Sequence, residues 1–136
     1  MKARELLTEG ISKKETYDIL HNFVRFAAKH LELETLPKME FKFDTERAVE
    51  HASFGGYAPG DKHIAITVGN RHIMDVCRTL AHEMVHFKQD LDDKLNDPEA
   101  GKTGSPQENE ANAEAAIIMR NWGRANPEFF NLESIG

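Results

Sequence analysis

A run of apolar residues at helical spacing, between residues 73 and 91, constrains the fold of this chain more than any other feature. The intervals alternate between four and three residues, which places the side chains on one stripe of a helix: Ile73, Cys77, Leu80, Met84, Phe87 and Leu91. Asn70 can cap such a helix, so we predict a helix from Arg71 to about Asp92 with one buried face.

Shorter patterns on both sides of this helix predict the rest of an α+β domain. Apolar spacing from Ser12 to about Leu33 indicates a first helix, and alternation over residues 39–43 indicates a strand. Residues 52–57 and 63–68 flank a turn-forming Ala-Pro-Gly-Asp sequence, which is typical of a β-hairpin. A polar loop over residues 93–106 precedes a last helix from about Gln107 to Trp122. We therefore expect one domain over residues 11–136, in which helices pack on a small, mostly antiparallel sheet.

Composition excludes some classes of function. The formal net charge of −6 and the scattered lysines and arginines argue against nucleic acid as a partner. No apolar stretch approaches the roughly 18 residues of a membrane-spanning helix. The single cysteine, Cys77, cannot form an internal disulfide and lies on the apolar stripe, so we expect it to be buried and inert. These features predict a cytoplasmic protein.

The sequence Leu-Ala-His-Glu-Met-Val-His-Phe places His82 and His86 one helical turn apart, about 40° around the axis from each other, so that they can bind one metal ion. They lie on the side of the helix opposite the apolar stripe. Glu83, between them, completes the HExxH pattern in which two histidines bind zinc and the glutamate is a general base.

A third metal ligand is expected from the last helix. Two histidines and one glutamate are a standard set for catalytic zinc, and Glu110 is our candidate for the glutamate. Glu114, one turn beyond it, and Asp75 or Thr79, one turn before His82, are candidates to orient the histidine rings.

The residues described above resemble a known group of enzymes. HExxH followed by Asn109-Glu110 and Glu114 is similar to the pattern of the gluzincin metallopeptidases of the thermolysin type, in which the residue matching Glu110 is the third zinc ligand. Glu110-Ala111-Asn112 also resembles the Glu-Ala-Asn element of the ImmA/IrrE-type peptidases, compact intracellular or phage-associated proteins. The resemblance implies a minimal zincin-like fold and a protein or peptide substrate.

The predicted activity is zinc-dependent hydrolysis of peptide bonds, with Glu83 taking the proton of the metal-activated water. Tyr57, His63 and His72 are candidates to stabilise the oxyanion, and the sequence does not choose among them. Two other functions stay open. One is a non-catalytic protein-binding module that contains zinc, and the other is a metal-dependent hydrolase of non-peptide bonds.

The first ten residues form a separate segment, which we expect to be flexible. Leu7-Thr8-Glu9 resembles the sites cut by the head-maturation proteases of tailed phages. That resemblance implies a capsid-targeting peptide, a phage origin and a location in the host cytoplasm or the virion.

Overall fold

A computed structural model describes residues 10–44 and 54–136 of the chain. Helix α1 spans Lys13–His30 and begins with a capping box, in which the hydroxyl of Ser12 accepts from the Glu15 amide and the Glu15 carboxylate accepts from the Ser12 amide. The helix ends earlier than its predicted end near Leu33, with Leu31 as its C-cap.

The sheet contains three described strands in the order β1-β3-β2: β1 (Lys38–Lys42), β2 (Gly55–Ala58) and β3 (His63–Thr67). The predicted hairpin is confirmed by the antiparallel pairing of β2 with β3, in which Tyr57 lies opposite Ile64. Residues 52 and 53 of its predicted first strand lie outside the described residues. The sheet was expected to be mostly antiparallel, and the described strands form one antiparallel and one parallel pairing. The sheet is mixed, since β1 runs parallel to β3 and β3 is the central strand.

Helix α2 spans Ile73–Leu91 and packs on the sheet and on both other helices. The predicted stripe is buried over five of its six positions, but Leu91 at the end of the helix is 45% exposed. The cap differs from the prediction. His72 is the N-cap residue, its ring Nδ1 accepting from the Met74 amide, whereas Asn70 lies two residues earlier with a φ of 60°.

Helix α3 spans Pro106–Ala125 and makes its most extensive contacts with α2. Ser105 is its N-cap residue, and its hydroxyl accepts from the Glu108 amide. The buried face of α3 follows a helical stripe of small and apolar residues: Ala111, Ala115, Ile118, Met119 and Trp122. Because this stripe faces α2, the first turn of α3 is brought towards the HExxH segment.

The two ends of the described chain meet near the start of α2. Ile11 pairs with Ile135 in an isolated parallel bridge, and Ile135 exchanges main-chain hydrogen bonds with residues 70 and 71. Gly10 has a φ of +88°, and a Cβ there would lie 2.1 Å from the carbonyl oxygen of Ser134, so only glycine fits. The predicted N-terminal segment lies outside the described residues as far as residue 9.

The architecture confirms the α+β prediction. A short 3₁₀ helix, Pro127–Asn131, follows α3 and packs Phe129 against Trp122, with the two ring centroids 5.8 Å apart. None of the helices in the described ranges has the length and apolarity needed to cross a membrane.

Candidate metal centre

His82 and His86 are placed side by side by helix α2. Their Nε2 atoms lie 3.1 Å apart, and their rings meet edge to face at 4.7 Å between centroids. His86 is buried, with 8% of its surface exposed, and His82 is half-buried. The pair faces the first turn of α3, so the predicted convergence of these two side chains is found in the structure.

A carboxylate from α3 completes the group, and it belongs to Glu108. Its Oε1 atom lies 3.2 Å from His82 Nε2, and its Oε2 atom lies 2.6 Å from His86 Nε2. One ligand atom from each of the three residues lies within 4.8 Å of the other two. The sequence-based reasoning missed this residue, although Glu108 is three residues before Ala111 and continues the buried stripe of α3.

The structure does not bring Glu110, the predicted third ligand, to the histidines. Two residues along an α-helix subtend about 200°, so Glu108 and Glu110 point to opposite sides of α3 and only one can face the pair. Glu110 instead accepts a hydrogen bond from the side-chain amide of Gln89 at 2.7 Å. It lines a separate cavity of about 280 Å³ on the other side of the α2–α3 contact.

The three side chains suit zinc in both chemistry and spacing. Two imidazole nitrogens and one carboxylate oxygen form a common donor set for catalytic zinc. With zinc–ligand distances of about 2.0–2.2 Å, neighbouring donors of a tetrahedral site lie about 3.3 Å apart. The separations of 3.1 and 3.2 Å are close to this value, whereas the 2.6 Å between His86 Nε2 and Glu108 Oε2 is shorter and is a hydrogen-bond distance.

Glu83 lies beside the histidines in a confined position, with 9% of its surface exposed. Desolvation by burial raises the pKa of its carboxyl to about 7. The nearby charge of His86 lowers that pKa and the charge of Glu108 raises it. A carboxylate with a pKa near neutrality is matched to taking up and releasing a proton at physiological pH.

A cavity of about 310 Å³ opens onto this group of residues. Its floor contains the two histidines, Glu83 and Glu108, and one wall is formed by Tyr57 and Pro59 from the hairpin. The loop between α2 and α3 forms the other wall, through Leu95, Asp97, Ala100 and Gly101. The cavity therefore gives access to the candidate metal site from solvent.

Of the three oxyanion candidates, Tyr57 is the one that lines this cavity, and its hydroxyl donates to Asp90 Oδ2 at 2.6 Å. His63 lies 3.7 Å from Glu40 on the sheet. His72 caps the start of α2, ten residues before His82, where its ring accepts from the Met74 amide. By position, Tyr57 is therefore the one of the three oxyanion candidates that lies next to the histidine pair.

The residue that contacts the Nδ1 edge of a histidine ring of the pair is Gln89. Glu114, Asp75 and Thr79, which the sequence predicted for this role, have other partners. Gln89 Oε1 lies 2.8 Å from His86 Nδ1. Glu114 pairs with His30 at 3.0 Å instead. Asp75 and Thr79 both accept hydrogen bonds from the Arg71 guanidinium, at the opposite end of α2.

The cysteine is placed as expected. Cys77 is fully buried in the core, and burial raises the pKa of its thiol. It lies on the apolar face of α2, away from the histidines.

Comparisons with known proteins do not assign the chain to a family. It matches no family model, no curated protein and no solved structure. The arguments for its function therefore depend on the geometry described above.

Proposed function

We propose that this chain is a zinc-dependent peptidase whose metal ligands are His82, His86 and Glu108 and whose general base is Glu83. The observation that carries the proposal is the convergence of these ligand atoms within 4.8 Å, beside a buried glutamate and at the floor of a cavity. Glu108 takes the role that the sequence assigned to Glu110. The fold would then be a minimal zincin-like arrangement, and a gluzincin-like peptidase is the enzyme class that we propose.

Bound zinc would supply a Lewis acid for the scissile carbonyl and lower the pKa of a coordinated water. Glu83 would accept a proton from that water and deliver it to the leaving amine. Its burial supports this role, because a pKa of about 7 allows the same carboxyl to act as base and then as acid.

The proposed substrate is a protein or peptide in extended conformation. Strand β3 is central and bonded on both sides, so it offers no edge on which a peptide could pair. Strand β2 is the edge strand next to the cavity, through Tyr57, and is the better candidate for pairing with a substrate backbone. The short chain and its small cavity favour a narrow choice of substrates.

The remaining expectations form part of the same proposal. The net charge of −6 argues against nucleic acid as a partner. The reduced, buried thiol of Cys77 fits the cytoplasm. A phage origin, a virion location and a capsid-targeting role for the first ten residues stay predictions.

The metal site is tested by elemental analysis of purified chain dialysed against a weak chelator. Wild type should retain about one zinc per chain, and Glu108→Ala should lose it because one of three ligands is gone. Glu114→Ala is the matched control, since this glutamate lies on the same helix but pairs with His30. Equal zinc in all three proteins would contradict the proposed ligand set.

Catalysis is tested separately with Glu83→Gln. This variant should keep its zinc and lose cleavage of a peptide library by about 10²–10⁴-fold, the usual contribution of a general acid–base group. Undiminished cleavage would refute the role of Glu83. Zinc retained in a wild type that binds peptides without cutting them would favour the alternative, a non-catalytic binding module.

A further inference from the structure

Gln89 is the most deeply buried polar side chain that contacts the histidine pair. It lies three residues after His86 on the same face of α2, and only 2% of its surface is exposed. Its side-chain amide makes three contacts. Oε1 lies 2.8 Å from His86 Nδ1, and Nε2 lies 2.7 Å from Glu110 Oε1 and 3.0 Å from the main-chain carbonyl oxygen of Gln107.

The orientation of this amide follows from its two neighbours on α3. A carboxylate and a carbonyl oxygen can only accept hydrogen bonds, so the group that faces both of them must be the NH₂ of Gln89. The carbonyl oxygen of the side chain then faces His86. Because that oxygen can only accept, His86 Nδ1 must carry the proton that it donates.

The proton on His86 has a competing acceptor on the opposite edge of the ring. Glu108 Oε2 lies 2.6 Å from His86 Nε2, and a carboxylate attracts a proton to that nitrogen. A neutral imidazole with its proton on Nε2 has no lone pair there to offer a metal ion. Without a partner at Nδ1, Glu108 would therefore favour the tautomer that cannot bind a metal through Nε2.

We propose that Gln89, itself oriented by Glu110 and the Gln107 carbonyl, is a positioning residue that holds the proton of His86 on Nδ1 and leaves Nε2 free as a ligand. The effect on metal binding rests on the proposed function, whereas the position of the proton does not. In this arrangement Glu110 acts on the site through Gln89, from the side of α3 opposite to Glu108.

The test is nitrogen-15 spectroscopy of the histidine rings in metal-free chain at about pH 8, above the usual pKa of histidine. In wild type, His86 Nδ1 should be protonated. Gln89→Met keeps the length of the side chain but cannot accept this hydrogen bond, so the proton should move to Nε2. Glu110→Ala, at an exposed position, should produce a mixture of the two tautomers.

Zinc affinity, measured by competition with a chromophoric chelator, provides the second readout. Loss of an orienting partner of a ligand histidine typically weakens metal binding by about 10–100-fold, and we expect a loss in this range for Gln89→Met. Glu114→Ala is the matched control. It lines the same cavity as Glu110 but pairs with His30, so it should change neither the spectrum of His86 nor the affinity.

Two results would overturn the proposal: a wild-type His86 protonated at Nε2 alone, or an unchanged proton position in Gln89→Met. Should that variant fail to fold, wild type and Glu110→Ala still decide the matter: a wild-type His86 without a proton on Nδ1 would remove the role of Gln89, and an Nδ1 proton equally populated in both proteins would remove the role of Glu110. A wild type that binds no zinc would refute the proposed function but not the position of the proton. The two failures are thus distinguishable.

Discussion

Replacing Tyr57 by phenylalanine separates a structural role of its hydroxyl from a catalytic one. The hydroxyl donates to Asp90 Oδ2 at 2.6 Å, and Lys62 Nζ donates to the same oxygen at 2.7 Å. Burial of Asp90 works to raise the pKa of its carboxyl, but the hydrogen bonds from Lys62 and Tyr57 outweigh it and hold the pKa below its usual value. The Tyr57 hydroxyl therefore already donates its proton in a hydrogen bond to a charged acceptor on α2.

We expect Tyr57→Phe to lower the free energy of unfolding measurably and to change kcat little. A hydrogen bond to a charged group contributes about 1.5–3 kcal/mol, and we take the lower end because Tyr57 is half-buried. For a chain of this length, about 1.5 kcal/mol corresponds to a fall in Tm of roughly 5 °C. The ring keeps its edge contact with Phe87, at 6.1 Å between centroids, so no cavity is added to this cost.

Loss of an oxyanion donor would have a different magnitude, about 10²–10³-fold in kcat. The assay pairs thermal unfolding, followed by circular dichroism, with peptide cleavage at equal zinc occupancy. Tyr17→Phe is the control, since Tyr17 is 45% exposed and packs on Phe41 and Phe43. A kcat reduced a hundredfold with an unchanged Tm would refute the reasoning and restore Tyr57 as the oxyanion donor.

Four further outcomes are expected. Asp90→Asn should remove stability that is present above about pH 4 and lost as the pH falls through the lowered pKa of Asp90, so urea melts of variant and wild type should converge in acid; a gap independent of pH would contradict this. Leu80→Ala, at a fully buried position, should cost about 2–5 kcal/mol in urea unfolding. Leu91→Ala, at a 45% exposed position, should cost far less, and equal costs would refute the assigned burial. The Cys77 thiol should resist a thiol reagent until the chain unfolds, and rapid labelling of folded chain would contradict its burial. Zinc at 100 times its Kd should raise the free energy of unfolding by about 2.7 kcal/mol, an effect that Glu108→Ala should abolish.

The parts of the fold that could be predicted are those that local patterns determine. The six-residue stripe of α2 and the turn sequence of the hairpin depend on neighbours within a few residues, and both elements were found. The parallel pairing of β1 with β3 depends on a connection of about twenty residues, and no local pattern reports it. That pairing places β3 in the centre of the sheet and leaves β1 and β2 as the edges among the described strands.

The choice between Glu108 and Glu110 shows how the glutamate that faces the histidines could have been found. Motif resemblance pointed to Glu110, but the packing of α3 determines which glutamate faces α2. The apolar spacing of α3 runs through Ala111, Ala115, Ile118 and Trp122, and extending it one turn towards the N-terminus reaches Glu108. Glu110 is displaced by about 100° from Ala111, and it contacts α2 at Gln89 rather than at the histidine pair. The apolar stripe that packs the two helices is therefore a better guide to which glutamate faces the histidines than the spacing of the acidic residues.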